Sequence, residues 1–195
     1  MHHTEQRTYP SALFVVRAQK SIFEHYIDMN LVLPSIEYQQ SYHSYINELG
    51  SEERYPFVLD FDYQDFAAYL AKIRGFSEGI NLPCGYVPSS TFWLIHHNEI
   101  VGVTNLRHYL NDQIKHCGGH IGLSIRPSKR GAGLGILLMK LSIEKLHSMG
   151  NNLLHIHCYA SNLASKRAII SNGGAFDSAI KSDSHIVNRY IIDLT

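Results

Sequence analysis

Apolar residues recur along this chain with two different periods, and the switches between them divide it into elements. Within 62–74 they fall at Phe66, Tyr69, Leu70 and Ile73, the i, i+3, i+4, i+7 spacing of one helix face, and Gly75 is expected to stop that helix. An earlier helix is predicted from an N-cap at Ser35 to Leu49, before Gly50, and 30–34 reads as a short first strand. The runs 92–96 and 99–107 are strand-like and flank the turn pair His97-Asn98. An extended segment then reaches Arg126 and a basic, glycine-rich turn, which opens into the apolar-periodic stretch 136–149, closed by Gly150 as a C′ residue. Residues 153–159 read as another strand. A helix begins beyond Asn162, and Gly173-Gly174 turns the chain into a last hairpin.

Composition bounds this picture without redirecting it. The 195 residues suffice for one sizeable core, and no linker or internal repeat interrupts them. Lys plus Arg and Asp plus Glu both number 17, with no basic concentration outside the glycine turn, so a nucleic-acid surface is not expected. Cys84, Cys117 and Cys158 are odd in number and lack C-x-x-C spacing, which argues against a disulfide framework or a structural zinc and for a cytoplasmic setting. The apolar run 12–16 is too short for a membrane span or a signal segment, and Arg17 ends it. His155 and His157 alternate on one strand face with His120 on a possible neighbour, but no carboxylate stands at helpful spacing, and no metal is expected.

The glycine turn, Arg126-Pro-Ser-Lys-Arg130-Gly-Ala-Gly-Leu-Gly135, carries the most chemistry. A strand that passes through such a turn straight into a helix gathers unpaired backbone N–H groups at the positive end of the helix dipole, the arrangement that binds pyrophosphate. The spacing is not that of a P-loop, because Lys140 lies too far into the helix and Leu141 follows it. Nor is it a dinucleotide fingerprint: the pattern is G-x-G-x-G, and the next strand carries no acid to hold a ribose.

Arg130-x-x-Gly133-x-Gly135 resembles the [Q/R]-x-x-G-x-[G/A] signature of the GNAT superfamily of acetyl-CoA-dependent N-acetyltransferases, and Asn162-x-x-Ser165 resembles its second signature. The order of elements matches as well, and the resemblance covers roughly 30–194. It implies an α/β (α+β) fold whose central, mostly antiparallel, mixed and twisted sheet has about six or seven strands, splayed at the cofactor cleft and flanked by about four helices. One domain is expected over 29–195, with 1–28 an extension of undefined role.

What the resemblance implies about the site is specific. Backbone N–H groups of Gly131, Ala132, Gly133, Leu134, Gly135 and Ile136 would hold the pyrophosphate of acetyl-CoA, with Arg126 or Arg130 adding charge. Leu123, Ser124 and Ile125 would pair with the pantetheine arm, and Asn162 and Ser165 would flank its other side. The N–H of Leu123 or Ser124 would receive the oxyanion. Many members place a glutamate where this chain has His120, an imidazole able to accept a proton near neutrality, so His120 is the expected base, with His108 and Arg107 behind it. The tyrosine that many members carry seven residues after the motif asparagine is replaced by Ile169; Tyr159 and Tyr190 are the remaining candidates for the acid. Glu52, Glu53 and Glu78 belong to the region that builds the acceptor side. The implied activity is acetyl transfer to a primary amine of a small molecule or protein, by a monomer or homodimer without nucleic-acid or membrane partners. The loss at Ile169 leaves a second reading open, a catalytically weak acyl-CoA-binding module serving as sensor or partner subunit.

Overall fold

The computed structural model describes residues 28–195 apart from Asp183, so all of the expected N-terminal extension except Asp28 lies outside the described residues. Seven strands form two antiparallel sheets: β1 (Asn30–Val32), β2 (Ser89–His96), β3 (Glu99–Arg107) and β4 (Ile121–Ile125) pair in that order, while β5 (Leu153–Tyr159), β6 (Ala175–Ser182) and β7 (His185–Asp193) pair in the order β5-β7-β6. Five α-helices accompany them, α1 (Gln39–Leu49), α2 (Phe66–Glu78), α3 (Asp112–His116), α4 (Leu134–Ser148) and α5 (Leu163–Ser171).

The helices divide between the two faces. On one, α1 and α2 bury Tyr42, Tyr45, Phe66, Tyr69 and Ile73 against Trp93 and Val103. On the other, α4 and α5 bury Met139, Ile143, Leu146 and Ile169 against Ile121, Leu154, Ile156 and Tyr190. Period-2 alternation decides which face each strand residue takes. On β4, Ile121, Leu123 and Ile125 face α4, whereas Gly122 and Ser124 face the α1 side, where Tyr45 donates a hydrogen bond to Ser124 Oγ at 2.8 Å.

Several elements differ from the sequence expectation: β2 starts at Ser89 and the second long helix at Phe66. The second long helix runs through Gly75 and ends at Glu78. Its C-cap is Gly79, at φ 73°, because ending a helix in the left-handed region requires the residue without a Cβ, and Gly75 keeps a negative φ. Ser35 heads a short 3₁₀ turn, Ile36–Tyr38, without a side-chain capping bond, and the α-helix begins only at Gln39. The helix α3 was not foreseen; Asn111 caps it by accepting from the Ile114 N–H at 2.9 Å. The His97-Asn98 turn is as expected, with both residues at positive φ as a two-residue hairpin turn requires.

Arg126 anchors the end of β4 to the helical layer. Its side chain is 1% exposed, and its guanidinium donates to the Ile100 carbonyl at 2.7 Å, the Ser41 carbonyl at 2.9 Å and Glu48 Oε1 at 2.7 Å, with Glu99 Oε1 at 3.2 Å. The expected phosphate contact is therefore corrected: β4 alternation turns this side chain toward α1, away from the glycine turn, and two carboxylates already neutralise it. Arg126→Met keeps the bulk but takes the shared cation from Glu48 and Glu99, which are both partly exposed, and leaves the Ile100 and Ser41 carbonyls without their donor. It should lower the unfolding free energy by about 3 kcal/mol in urea denaturation; a loss no larger than that of an exposed pair, below about 1 kcal/mol, would contradict the anchoring role.

Candidate active site

Among the described residues the two sheets are bridged at one place. Gly119 bridges Ile156, and the His120 N–H donates to the His155 carbonyl at 2.7 Å. This close approach requires glycine, since a Cβ on Gly119, at φ 70°, would lie 2.6 Å from the His155 oxygen. Beyond this bridge β4 and β5 do not pair among the described residues.

Register identifies the groups that line the resulting gap. The Arg107 N–H bonds to the His120 carbonyl and the Arg126 N–H to the Val101 carbonyl, so by antiparallel alternation Gly122 and Ser124 spend their backbone groups on β3, while Leu123 and Ile125 turn theirs to the open edge. On β5, even-numbered residues bond to β7, as the Ala160 N–H to Ile186 carbonyl bond shows, leaving His157 and Tyr159 to line the opposite wall. Of the two oxyanion donors expected from the sequence, the Leu123 N–H faces the gap and that of Ser124 faces the other way. The Ile125 carbonyl already accepts from Arg130 Nε at 3.1 Å.

The gap opens at the glycine turn. Gly133, at φ 82°, is the N-cap of α4, and its carbonyl accepts from the N–H groups of Ile136 and Leu137. Gly131, Ala132 and Gly133 are exposed. The first-turn N–H groups of buried Leu134 and half-buried Gly135 have no place in the helical ladder and lie next to this rim in the chain. The basic side chains nearby are engaged elsewhere: Lys129 pairs with Glu99 at 2.8 Å, and Arg130 holds Glu52 through two bonds of 3.0 and 2.7 Å, which keep the Glu52 carboxyl below its usual range. An anion here is met first by backbone dipoles.

The segment 52–56, between α1 and α2, ties together all sides of the gap. Glu52 reaches the glycine turn through Arg130; Tyr55 and Pro56 pack over Gly122 of β4; Glu53 accepts a 3.2 Å bond from the Tyr159 hydroxyl at the end of β5. Burial, and then the neighbouring Glu53 carboxylate, raise the Tyr159 phenol above its ordinary pKa, so it stays protonated near neutrality. Glu78 lies at the end of α2.

The structure disposes of the other sequence candidates differently. His120 is 5% exposed, and its Nδ1 accepts the His155 N–H at 3.0 Å, so the neutral ring carries its proton on Nε2 and has no free lone pair. Burial pushes its pKa down to about 4. Its expected role as proton acceptor is corrected to that of a brace between the sheets. Tyr190 is 1% exposed in the core on the α4–α5 side, opposite Ile156 and one strand away from the gap, which withdraws it as an acid. Ile169 is likewise core. Asn162 caps α5, its Oδ1 accepting the Ser165 N–H at 2.9 Å. Of the second choices, His108 Nε2 hydrogen-bonds Ser90 Oγ and Arg107 donates to the Gly119 carbonyl at 2.7 Å. Sequence reading overlooked Tyr55 and the role of His157, which was visible only as half of an i, i+2 pair; no spacing could have placed either at the gap. Among the described residues no group of three or more His, Cys, Asp or Glu is placed to hold a metal ion, and no helix is long and apolar enough to cross a membrane.

A sheet edge left open beside a glycine-rich helix start can take an extended, anion-bearing ligand along its length. A sequence model described as Acetyltransferase (GNAT) family matches residues 46–169, and the chain belongs to that family. Among solved structures it is similar to RimL, a ribosomal L7/L12 alpha-N-protein acetyltransferase in complex with coenzyme A, at 15% identity and TM-score 0.66 over 86% of this chain and 95% of that one. It is also similar to the microcin C7 self-immunity acetyltransferase MccE in complex with acetyl-CoA and AMP, at 15% identity and TM-score 0.64 over 86% and 93%. A third is a spermidine N-acetyltransferase chimera from Vibrio cholerae and hSSAT, at 13% identity and TM-score 0.58 over 86% and 96%. These likenesses establish the fold. A comparison with curated protein sequences gives no match.

Two buried imidazoles make the junction sensitive to acid. His120 and His157, both held to about 4 by burial, are neutral in the fold but take up protons near 6.5 in the unfolded chain. Their contribution to stability is complete above about 6.5 and is lost as pH falls from there toward 4, at up to about 1.4 kcal/mol per pH unit for each. Urea unfolding across pH 7.5 to 4.5 should show this decline, and a His120→Gln, His157→Gln double variant should flatten it. An equal slope in the variant would assign the acid sensitivity to other groups.

Proposed function

We propose that this protein is an acetyl-CoA-dependent N-acetyltransferase that acts in the cytoplasm, as a monomer or homodimer, on a primary amine of a small molecule or protein. The observation that carries this reading is the unpaired edge of β4 at Leu123, which leads directly to the exposed N–H groups of the glycine turn. An extended amide-bearing arm can pair with the first while its pyrophosphate rests on the second. Gly131 to Gly135 are the pyrophosphate residues, Ile136 dropping out because its N–H is spent on the Gly133 carbonyl; Leu123 and the N–H of Ile125 are the pantetheine residues, and Asn162 and Ser165 set the start of α5 on the far side. Arg130 would have to loosen from Ile125 or Glu52 to add its charge.

Acetyl-CoA brings the activated acetyl group; the chain supplies orientation and proton transfer. Glu53 is the base on this reading. It takes the proton of the attacking amine, and Tyr159 gives its phenol proton to the sulfur as the carbon–sulfur bond breaks. The 3.2 Å bond between Tyr159 and Glu53 returns a proton from carboxyl to phenolate, so the pair ends as it began. The Leu123 N–H faces the carbonyl oxygen as its charge develops. The pair at Glu53 and Tyr159 favours this reading over the weak-module reading left open by Ile169.

Two measurements test it. Gly131 sits at φ 84° with nothing within 4 Å of a built Cβ, a backbone region that Asn and Asp tolerate. Gly131→Asp should weaken CoA binding at least tenfold relative to Gly131→Asn with equal melting temperatures, since only the first places an anion at the pyrophosphate; equal affinities in titration calorimetry would remove the turn from the site. Thiol release from acetyl-CoA over an amine panel should reveal turnover, and Glu53→Gln should reduce it by about 10² to 10⁴ without changing CoA affinity. Unchanged turnover would sink the assignment of Glu53.

A further inference from the structure

His157 is the first residue of β5 beyond the bridge whose backbone faces the gap, and its side chain projects on the α1–α2 side with His155 and Tyr159. Its ring reaches across the head of the gap: Nδ1 accepts the Gly118 N–H at 2.9 Å, from the turn that leads into β4. That bond settles the tautomer, because a nitrogen accepting an N–H has no proton of its own and the neutral ring must carry it on Nε2. The residue is 8% exposed, and Nε2 has no hydrogen-bond partner among the described residues. A buried N–H donor left unpaired is destabilising, and such groups stand out where a ligand completes them.

The surroundings specify the ligand. Arg189 lies opposite His157 on β7, and its charge, with those of Arg107 and the neighbouring histidines, adds to burial in disfavouring the imidazolium. The ring is held neutral, so at Nε2 it offers a hydrogen bond and accepts no proton. A neutral donor in a positive field suits an oxygen that becomes more negative as a reaction proceeds. The Leu123 N–H faces the gap from the other wall.

We propose that the Nε2–H of His157 donates a hydrogen bond to the acetyl carbonyl oxygen of bound acetyl-CoA, as a side-chain partner to the Leu123 backbone N–H in stabilising the oxyanion. This rests on the acetyltransferase reading above. As the amine nitrogen bonds to the carbonyl carbon, the π electron pair moves to the oxygen held by these two donors. It returns when the carbon–sulfur bond breaks, and His157 keeps its proton throughout.

The test uses the wild-type protein first. With ¹⁵N-labelled histidine, the Nε2–H resonance of His157 should shift on adding acetyl-CoA and not on adding CoA, which has the same pyrophosphate and pantetheine but no acetyl carbonyl. Identical spectra in the two complexes would overturn the proposal. Carbonyl-labelled acetyl-CoA should show a C=O stretch lowered in the wild type and restored toward its solution value in His157→Phe. In a folded His157→Phe protein kcat should fall by about 10² to 10³ with CoA affinity unchanged, and His157→Gln, which can place an amide N–H near Nε2, should recover at least tenfold of the loss. A kcat for His157→Phe within twofold of wild type, or an unshifted stretch, would overturn the assignment. Wild-type protein that binds acetyl-CoA but transfers to no amine would fail the acetyltransferase reading instead, and the resonance comparison would still decide His157.

Discussion

One strand edge with no strand beside it governs this molecule. Backbone N–H and C=O groups inside a protein are almost always paired, so an interior sheet edge left open demands something to occupy it. Here β4 keeps its outer edge open because, among the described residues, the two sheets are joined at the Gly119–Ile156 bridge and nowhere further along. The features around the gap follow from that opening. Arg126 fastens the end of β4 to α1, the 52–56 segment ties both walls from above, and the start of α4 presents its free N–H groups at the mouth.

Electrostatics near the glycine turn runs against the first impression of the sequence. Arg126, Lys129 and Arg130 look like a cationic site for a phosphate, yet each is matched by a carboxylate, from Glu48, Glu99 or Glu52. Exposed pairs of this kind are worth little individually, whereas the Arg126 guanidinium is buried and holds two elements together. Attraction for an anion is left to the backbone dipoles of the turn and to whatever Arg130 can release.

The histidines divide by hydrogen bonding more than by position. His120 and His157 are both buried, both neutral and both bonded at Nδ1 by a backbone N–H, from His155 and Gly118 respectively. A general base needs a free lone pair, and neither ring has one. On the proposed function, proton acceptance is assigned instead to Glu53, on the 52–56 segment, which the Tyr159 hydroxyl meets at 3.2 Å.

The sequence alone determined the order of the strands and long helices and the glycine turn that opens α4. The 153–159 strand, the hairpin at His97-Asn98 and the helix start after Gly133 are written in short-range periodicity and in glycine positions, which depend only on neighbours in the chain. Family membership was legible in the same local patterns, Arg130-x-x-Gly133-x-Gly135 and Asn162-x-x-Ser165. Tertiary structure decided everything that depends on which way a side chain points and what it meets. Alternation along β4 turned Arg126 away from the glycine turn, burial and one backbone bond removed the lone pair of His120, and a contact spanning 106 positions brought Glu53 to Tyr159. Local pattern carries backbone conformation because that is set by residues a few positions apart. Proton affinity and pairing are set by the dielectric and the partners that folding assembles from distant segments.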